Sequence, residues 1–486
     1  MKYIFKTLLF LLIALPAFAQ KVEVAPLSVN SRYDDFGATF ANNGRLIFFT
    51  SERDSDGTAR QKIYSSAGFE SPQELSSNVN AGRNNGSVAV TPDGQYMIFA
   101  AYNRADNLGR TDLYSAERVR GEWTNIKNLG PNVNSAEWDS QPTLSSDGTT
   151  LYFSSDRTGG QGGTDIYVAR REGSGWSKAV NLGVVINSTF DEMTPSIGPD
   201  NTTFYFASNR PSNFGGFDLY SSRIARSNFS RPEIFDEPIN SSSDEYYYTA
   251  LPNSTTAHFS SNRSGGSGGL DLYTAVPNPV PPAPVRIVTG FVRDANTSGA
   301  LGSTIYVTDL KTGKRVAELH SDDMTGEYYV TLTSGRKYSI TSSKSGYLFF
   351  SEQFEVPEES RGNEVKYDIN LSPITSGRTR LLVFFDFDKS DLKDESQAEL
   401  FNITEFLQAN PAVKVEIGGH TDDVGNADYN DKLSSDRASA VKTYLVKNGI
   451  AAHRITTKGY GKRQPLVESK DEAARAQNRR VEMVIK

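Results

Sequence analysis

A repeat of 53 residues occupies the first half of the chain and restricts the folds open to it. Its clearest mark is an Asp-hydrophobic-Tyr tripeptide, found at Asp112–Tyr114, Asp165–Tyr167, Asp218–Tyr220 and Asp271–Tyr273, with Lys62–Tyr64 as a weaker first copy. An arginine precedes each tripeptide by about ten residues, at Arg53, Arg104, Arg157, Arg210 and Arg263. Repetition at a fixed period indicates an architecture in which each repeat is one supersecondary unit. The first half therefore predicts five similar units.

Each unit alternates hydrophobic and polar residues, as in Leu151–Ser155, and turn residues such as Asp147-Gly148 separate the alternating stretches. This pattern is typical of short β-strands joined by tight turns. A repeat of this length with several strands per unit predicts the blades of a propeller. We predict an all-β propeller of five blades over residues 20–275.

The two ends of this repeat array predict how the ring closes. Four units end in a Val-Asn or Ile-Asn pair, at Val79-Asn80, Val133-Asn134, Ile186-Asn187 and Ile239-Asn240. The fifth unit lacks the pair, whereas Val29-Asn30-Ser31 stands before the first unit. We predict that this N-terminal strand completes the last blade, because closure removes exposed sheet edges. An open or padded ring is the alternative.

All five units resemble the PD40-type, WD40-like repeats of periplasmic propellers. The resemblance implies a fold but no function, because propellers host many functions. The repeated Arg and Asp occur in nearly every unit, so we interpret them as structural residues. Loops at the ring ends and the central channel are candidate places for a protein or glycan, although no single residue stands out there.

The first nineteen residues have the pattern of a secretory signal peptide. Lys2 and Lys6 precede an apolar run over Leu8–Phe18, and Ala17-Phe18-Ala19 supplies small residues at the cleavage positions. The run is too short to be a transmembrane helix, and no later segment contains 18 apolar residues. We predict an exported chain that lacks residues 1–19 and has no membrane span.

Composition excludes several kinds of site and partner. The chain has no cysteine, which excludes disulfides, thiolate metal ligands, a cysteine nucleophile and a lipid anchor on an N-terminal Cys. Its four histidines are scattered, so we predict no metal and no cofactor. The net charge of -7 argues against nucleic acid or anionic lipid as the main partner.

Closely spaced prolines over residues 276–285 predict an extended linker before a second unit. From 286 to 372 the chain alternates again, which predicts a β-sandwich. Its motifs Gly290–Asp294, Thr325–Tyr328 and Gly346-Tyr347 resemble the carboxypeptidase regulatory-like domain. The resemblance implies a spacer or an interaction module. We interpret Asp322 and Asp323 as a solvated turn, and a calcium site is the alternative.

After a second linker, residues 373–380, the pattern changes to alternating strands and helices over 381–486. The order βαβαββ predicts a two-layer α/β domain. The predicted elements are strands at Leu381–Asp388, Val413–Ile417, Ile455–Lys458 and Arg480–Ile485, a helix through Leu400, Ile403 and Leu407, and a helix over Leu433–Asn448.

Ten short motifs follow one another through this third unit. They are Phe385–Asp388, Ser390, Leu392, Gly419–Asp422, Gly425, Asn430, Leu433-Ser434, Arg437-Ala438, Gly459–Gly461 and Asn478–Glu482. In order and spacing they resemble the OmpA-like peptidoglycan-binding domain. The resemblance implies a noncovalent site for the peptide stem of peptidoglycan, chiefly its diaminopimelate residue. The resemblance implies that the principal binding residues in this chain are Asp422 and Arg437.

The chemistry of these side chains suits that ligand. The free centre of diaminopimelate carries an ammonium and a carboxylate on one carbon. Asp422 can accept the ammonium protons, and Arg437 can hold the carboxylate through two parallel hydrogen bonds. Thr421 and Asn430 are predicted to add neutral hydrogen bonds, and Arg479 a contact to the stem. The alternative is a surface Asp–Arg pair that stabilises the fold by less than about 1 kcal/mol.

Two neighbouring residues are open to more than one interpretation. His420 has the chemistry of a catalytic base, but no Ser or Cys nucleophile pattern accompanies it, and we interpret it as organising its loop. Asp423 stands beside Asp422, and only the family pattern selects Asp422 as the residue that faces the ligand.

The sequence as a whole predicts a non-enzymatic periplasmic anchor associated with the cell wall and outer membrane. Its C-terminal domain binds peptidoglycan, and its propeller binds a periplasmic or outer-membrane protein. The order of the units resembles peptidoglycan-binding components of type IX secretion systems, so a role in secretion or adhesion is a hypothesis. The alternative is a wall-tethered propeller hydrolase or lyase, with Glu137–Asp139 and Asp244-Glu245 as its candidate acids. A sensor of wall state is a third option, for which the sequence offers no transmembrane relay.

Overall fold

A computed structural model describes residues 21–53, 60–173, 175–212, 214–225, 228–357, 364–374, 378–381, 383, 385 and 388–486. The predicted signal peptide, residues 1–19, lies outside the described residues, as do residues 375–377 of the predicted second linker.

The chain from Glu23 to Val276 forms five antiparallel sheets, one for each repeat. The first sheet contains β2 (Asp35–Ala41), β3 (Leu46–Ser51), β4 (Lys62–Ala67) and β5 (Glu70–Glu74). The second contains β6 (Asn84–Val90), β7 (Tyr96–Tyr102), β8 (Thr111–Val119) and β9 (Glu122–Asn128). The third contains β10 (Asp139–Leu144), β11 (Thr150–Ser155), β12 (Asp165–Glu172), β13 (Gly175–Trp176) and β14 (Val180–Asn181). The fourth contains β15 (Glu192–Ile197), β16 (Thr203–Ser208), β17 (Asp218–Ala225), β18 (Asn228–Phe229) and β19 (Glu233–Ile234). The fifth contains β20 (Glu245–Ala250), β21 (Ala257–Ser261), β22 (Asp271–Val276) and β1 (Glu23–Pro26).

The five sheets follow one another in a closed cycle. The first strand of each sheet contacts the first strand of the next, in the order β2-β6-β10-β15-β20-β2. Strand β1 pairs antiparallel with β22, so the N-terminal strand completes the fifth sheet. The position predicted for that strand, Val29–Ser31, is wrong, because the pairing residues are Glu23–Pro26.

Asn30 caps the edge of the fifth sheet instead of lying in a strand. Its Nδ2 donates to Leu272 O at 2.9 Å, and its Oδ1 accepts from Leu272 N at 2.9 Å. Asn187 makes the same two bonds with Ile166. A carboxamide has one acceptor and a donor, so it can replace a peptide group where the outer strand has ended. The recurring Asn is therefore a capping residue rather than a strand residue.

Four of the five repeated arginines hold buried carboxylates beside the strands, whereas Arg104 donates to Asn85 Oδ1 at 3.2 Å. Arg53 Nη2 donates to Asp35 Oδ1 at 2.7 Å and to Val29 O at 2.8 Å, and the guanidinium lies over the rings of Phe49 and Tyr64. The same ion pair recurs as Arg157–Asp139, Arg210–Glu192 and Arg263–Glu245. All four carboxylates are fully buried, and a buried charge requires such a partner. These contacts agree with the predicted structural role.

Two further sheets follow and share one hydrophobic core. One has β23 (Val285–Asp294) paired with β26 (Glu327–Thr333), β29 (Val365–Lys366) and β30 (Ile369–Leu371). The other has the order β25 (Lys314–His320), β24 (Thr304–Asp309), β27 (Arg336–Ser343) and β28 (Phe350–Val356). Asp322 lies in a turn, where its Oδ1 accepts from Met324 N at 2.9 Å and Thr325 N at 2.8 Å.

The C-terminal unit places helices against a mixed four-stranded sheet. Its strands, in spatial order, are β31 (Arg378–Leu381), β34 (Val481–Ile485), β32 (Val415–Gly419) and β33 (Ile455–Gly459). Its helices are α1 (Gln397–Ala409), α2 (Ala427–Lys447) and α3 (Glu472–Asn478), with short 3-10 turns at Asp394–Ser396 and Ala452–Arg454. Among the described strands of this sheet, only β32 and β33 pair in parallel. None of the helices in the described parts of the chain is long and apolar enough to cross a membrane.

Two helices of this unit differ from the prediction, and the first predicted strand is described only in part. The described strand is Arg378–Leu381, and residues 382, 384, 386 and 387 of the predicted Leu381–Asp388 lie outside the described residues; Asp388 itself has a φ of 62°, which is incompatible with an extended strand. Helix α2 begins six residues before Leu433, because the Asn426 side chain accepts from Tyr429 N and caps the helix. Helix α3 was not predicted, although Asp471 caps it in the same manner.

Candidate functional site

The loop between β32 and α2 forms the base of the candidate site, and close backbone packing fixes it. A Cβ on Gly419 would lie 2.0 Å from Ser434 O, so only glycine lets the end of the strand meet the helix there. Thr421 N donates to Gly461 O at 2.9 Å, and Ser434 Oγ accepts from Gly461 N at 3.0 Å. The loop is therefore tied both to α2 and to the segment after β33.

Asp422 is held by two donors. Its Oδ2 accepts from Arg479 Nη1 at 2.8 Å, and its Oδ1 accepts from Val424 N at 3.1 Å. Its side chain is only 13 % exposed. Asp423 points elsewhere, to Arg475 Nε at 2.7 Å, and is 39 % exposed. The two adjacent carboxylates thus have different partners, a distinction that the sequence did not provide.

Arg437 projects from α2 and is buried. Its Nε donates to Lys389 O at 3.0 Å, and its guanidinium carbon lies 5.0 Å from the centre of the Phe385 ring. Burial and the charge of Arg479 lower the pKa of the Arg437 guanidinium, and the charge of Asp422 acts in the opposite direction. Among the described residues, no carboxylate lies within ion-pair distance of Arg437. Among the described residues, Lys389 O is thus the hydrogen-bond acceptor that the buried Arg437 guanidinium reaches.

Arg479 connects Asp422 to helix α3. In addition to Asp422, its Nη2 donates to Glu472 Oε1 at 2.7 Å. Although burial opposes it, hydrogen bonding to these two carboxylates raises the pKa of the Arg479 guanidinium. The sequence predicted a contact from Arg479 to the ligand, whereas the structure shows its contact with Asp422.

The structure brings Thr421 and Asn430 next to Asp422, but both side chains bond to the loop itself. Thr421 Oγ1 donates to Asp422 O at 3.2 Å, and Asn430 Nδ2 donates to Val424 O at 2.9 Å. Both residues are buried. In this structure they shape the loop that carries Asp422.

Two residues beside Arg437 received no predicted role. Tyr429 donates a hydrogen bond from its hydroxyl to Asp388, and both groups act on the Arg437 pKa. Asp388 ends the Phe385–Asp388 motif, and Tyr429 directly precedes Asn430 in sequence. Nothing in the local pattern joins them, since 41 residues separate the two positions.

His420 is fully buried beneath the loop. Its ring stacks on Tyr460 with centroids 4.9 Å apart, and its Nε2 lies 3.4 Å from Glu482 Oε2. Arg480 Nε donates to the other oxygen of Glu482 at 2.7 Å. His420 thus packs between Tyr460 and Glu482, and its role in organising the loop stays a prediction.

Comparison with known proteins finds similarities that lie in the C-terminal unit. Residues 384–479 match the model of the OmpA family. The chain is 50% identical over 105 residues to Outer membrane porin F of Pseudomonas fluorescens, covering 22% of this chain and 32% of the porin. It is 43% identical over 98 residues to the peptidoglycan-associated lipoprotein of Pasteurella multocida, covering 20% of this chain and 65% of that protein.

A solved structure gives a similar match. The peptidoglycan-associated lipoprotein from Burkholderia pseudomallei is 36% identical, covering 21% of this chain and 88% of that chain, with a TM-score of 0.21. The similarity to porin F spans about a third of the porin's length. Through residues 384–479, the C-terminal unit of this chain is therefore an OmpA family domain.

Proposed function

We propose that this chain is a non-enzymatic periplasmic anchor whose C-terminal domain binds peptidoglycan through Asp422 and Arg437. The observation that carries the proposal is the buried Arg437 guanidinium, which among the described residues has no carboxylate partner. A buried charge without a partner is costly, and a ligand carboxylate would remove that cost. The neighbouring Asp422 supplies the opposite charge that a zwitterionic ligand needs.

In this proposal Arg437 and Asp422 each bind one charged group of diaminopimelate. The terminal nitrogens of Arg437 bind the carboxylate of the stem, while its Nε remains on Lys389 O. The ammonium approaches Asp422, whose carboxylate already accepts from Arg479 and Val424 N. Arg479 is then a positioning residue that orients Asp422, rather than a residue that contacts the stem.

The test is co-sedimentation of the purified mature chain with isolated peptidoglycan sacculi. We expect Asp422→Ala and Arg437→Ala each to reduce the bound fraction at least tenfold. The matched control is Asp436→Ala, which removes an exposed carboxylate from α2 that bonds only to Lys432 among the described residues. Circular dichroism establishes that each variant is folded. Undiminished binding by both folded site variants would contradict the proposed site.

We also propose that the five sheets are the blades of a propeller over residues 20–275, which binds a protein of the outer membrane or periplasm. The closed order of the first strands and the pairing of β1 with β22 support this fold. The linker 276–285 and the sandwich 286–372 then separate the propeller from the wall-binding domain 381–486. Crosslinking in whole cells should recover an envelope protein on the propeller, and recovery of peptidoglycan alone would contradict a protein partner.

The contacts of the candidate acids do not favour a wall hydrolase. Asp139 and Glu245 are fully buried in ion pairs with Arg157 and Arg263. Asp244 accepts from Phe217 N at 2.9 Å and from Asn262 Nδ2 at 3.0 Å. These three carboxylates hold strands and turns in place, which is a structural function. The remaining candidate, Glu137, is 43 % exposed and lies 3.8 Å from Arg110 Nε.

A further inference from the structure

The passage through the middle of the five sheets is divided into two cavities. The larger one has a volume of about 480 Å³ and is lined by residues of all five sheets. We call it the axial cavity. The smaller one, of about 120 Å³, lies at the other ends of the first strands and is bordered by Tyr329 and Thr331 of the second unit. Ser87 and Tyr247 line both cavities, and their hydroxyls lie 2.7 Å apart. The axial cavity therefore has a floor.

Each first strand has one bulge residue at this level, and three of the five, Ser87, Gln141 and Tyr247, line the floor of the axial cavity. The five residues have positive φ values, at Gly37 (67°), Ser87 (46°), Gln141 (54°), Thr194 (49°) and Tyr247 (55°). Each sheet has its register shift at this point. A residue with a side chain in this conformation costs about 1 kcal/mol or more relative to glycine. Gly37 shows that glycine is compatible with the bulge, yet four sheets retain a side chain there.

The bulge residues of the third, fourth and fifth sheets are linked by hydrogen bonds, each from a backbone N–H to a side-chain oxygen of the neighbouring sheet. Thr194 N donates to Gln141 Oε1 at 2.9 Å, and Tyr247 N donates to Thr194 Oγ1 at 3.2 Å. Desolvation raises the pKa of Tyr247 to about 12, so its hydroxyl remains neutral. Strained residues that point into a cavity are a common feature of binding sites, because the surrounding fold must hold them in place.

The walls of the axial cavity combine aromatic rings with neutral polar groups. Tyr102, Trp138 and Tyr246 contribute rings, while Gln61 and Asn84 contribute carboxamides. Tyr102 is 42 % exposed, so the cavity opens to solvent on this side. Among the described residues that line the cavity, none carries a charge. A charged ligand would lose its hydration without gaining an ionic partner there.

We propose that the axial cavity binds an uncharged saccharide. Sugar rings offer apolar faces that pack on aromatic rings, and hydroxyls that exchange hydrogen bonds with carboxamides and neutral hydroxyls. The volume lies within the range of about 300–1,000 Å³ that is usual for small-ligand sites. The choice of saccharide over peptide rests partly on the proposed function, because an anchored chain would be surrounded by wall glycan at high local concentration.

The experiment titrates the full mature chain with N,N′-diacetylchitobiose and, separately, with cellobiose. Binding is measured by calorimetry and by the fluorescence of the tryptophans, which include Trp138 in the cavity wall. We expect saturable binding of at least one disaccharide, weakened at least tenfold by Tyr102→Ala and by Gln61→Leu. The matched control is Phe401→Ala, which removes a ring of similar exposure from α1. Asp422→Ala should bind the disaccharide normally, which separates this site from the wall-binding site.

Two outcomes would overturn the saccharide site. One is the absence of binding by either disaccharide up to about 10 mM, which corresponds to a binding free energy weaker than about 3 kcal/mol. The other is binding that both lining variants leave unchanged. Binding of an acetylated and amidated tripeptide in place of the disaccharides would assign the cavity to a peptide instead. A preference for chitobiose over cellobiose would indicate wall glycan as the source, and equal binding would indicate saccharides in general.

Discussion

At the scale of single residues, the charged groups of the C-terminal domain differ in the partners that hold them. Glu482 lies between His420 and Arg480 beneath the site loop, and Asp422 lies between Arg479 and Val424 N above it. Among the described residues, Arg437 donates a hydrogen bond to the Lys389 backbone carbonyl and lies against the Phe385 ring. The first two groups have charged partners within the chain, and in the proposed function the partner of the third is a ligand carboxylate.

The lowered pKa of Glu482 predicts that the C-terminal domain loses folding stability in acid. Although burial opposes it, the nearby His420 ring and the hydrogen bond from Arg480 lower the pKa of Glu482 from 4.5 to about 2. A lowered carboxyl pKa stabilises the fold above pH 4.5, and this contribution of about 3 kcal/mol is lost as the pH falls from 4.5 through 2. Hydrogen exchange of β34 in the full chain should accelerate over this window. In Glu482→Gln the exchange should be faster at neutral pH and should depend less on pH; an unchanged acid dependence would contradict this role.

At the scale of elements, the repeats share two devices, an Asn carboxamide in all five and an Arg–carboxylate pair in four. A buried Arg–carboxylate pair joins the first strands to the segment before them, and an Asn carboxamide pairs with the third strand where the outer strand stops. The fifth sheet takes its Asn from the opposite end of the chain, 242 residues away. The Asn cap that joins nearby residues in the other repeats therefore joins the two ends of the repeat array in the fifth sheet.

The substitution Asn30→Ala tests how much the closure of the fifth sheet by Asn30 contributes to the free energy of unfolding. The substitution leaves the N–H of Leu272 without its partner, while the C=O keeps the bond from Leu27 N at 2.8 Å. This should lower the free energy of unfolding by about 1–3 kcal/mol. Asn187→Ala removes the same two bonds within one part of the chain and should have a similar effect. Asn78→Ala, at an exposed position, is the neutral control. Thermal unfolding followed by tryptophan fluorescence measures all three, and a neutral Asn30→Ala would show that β1 alone closes the fifth sheet.

At the scale of the whole molecule, the three units are joined by specific contacts. Asp93 of the second sheet accepts from His320 N at 3.3 Å, and Asn253 Oδ1 accepts from Val285 N at 3.1 Å. Phe349 belongs to the hydrophobic core of the C-terminal domain, where its ring lies 5.7 Å from that of Phe406. Thus a residue from the segment predicted as sandwich contributes to the core of the next unit.

Phe349→Ala should weaken the junction of the second unit with the C-terminal domain. Truncation of a buried phenylalanine typically costs about 3–5 kcal/mol, because a cavity replaces the ring. We expect faster hydrogen exchange in α1 and a lower unfolding temperature of the C-terminal domain. Phe401→Ala, which truncates an exposed ring of α1, is the control. Equal exchange in the two variants would mean that Phe349 does not hold the junction.

The sequence alone was sufficient for the five repeats, the structural interpretation of their arginines and the OmpA family motifs. These depend on periodic or local patterns, in which spacing determines which side chains share a face or a turn. Helix α2 began earlier than its apolar pattern because a polar cap at Asn426 decided the start. The closing strand was misplaced because Val29-Asn30 resembles a strand end, while its function as a cap depends on Leu272 from the far end of the repeats.

Only the tertiary structure decided which charges meet. It paired Asp422 with Arg479 and Asp423 with Arg475, and it set Asp388 and Tyr429 beside Arg437. It also brought bulge residues from three distant strands, Ser87, Gln141 and Tyr247, to the floor of a single cavity. Such contacts join positions far apart in sequence, and no local pattern encodes them. The sequence by itself therefore determined the units and their local chemistry, whereas packing between elements decided the partners of each functional side chain.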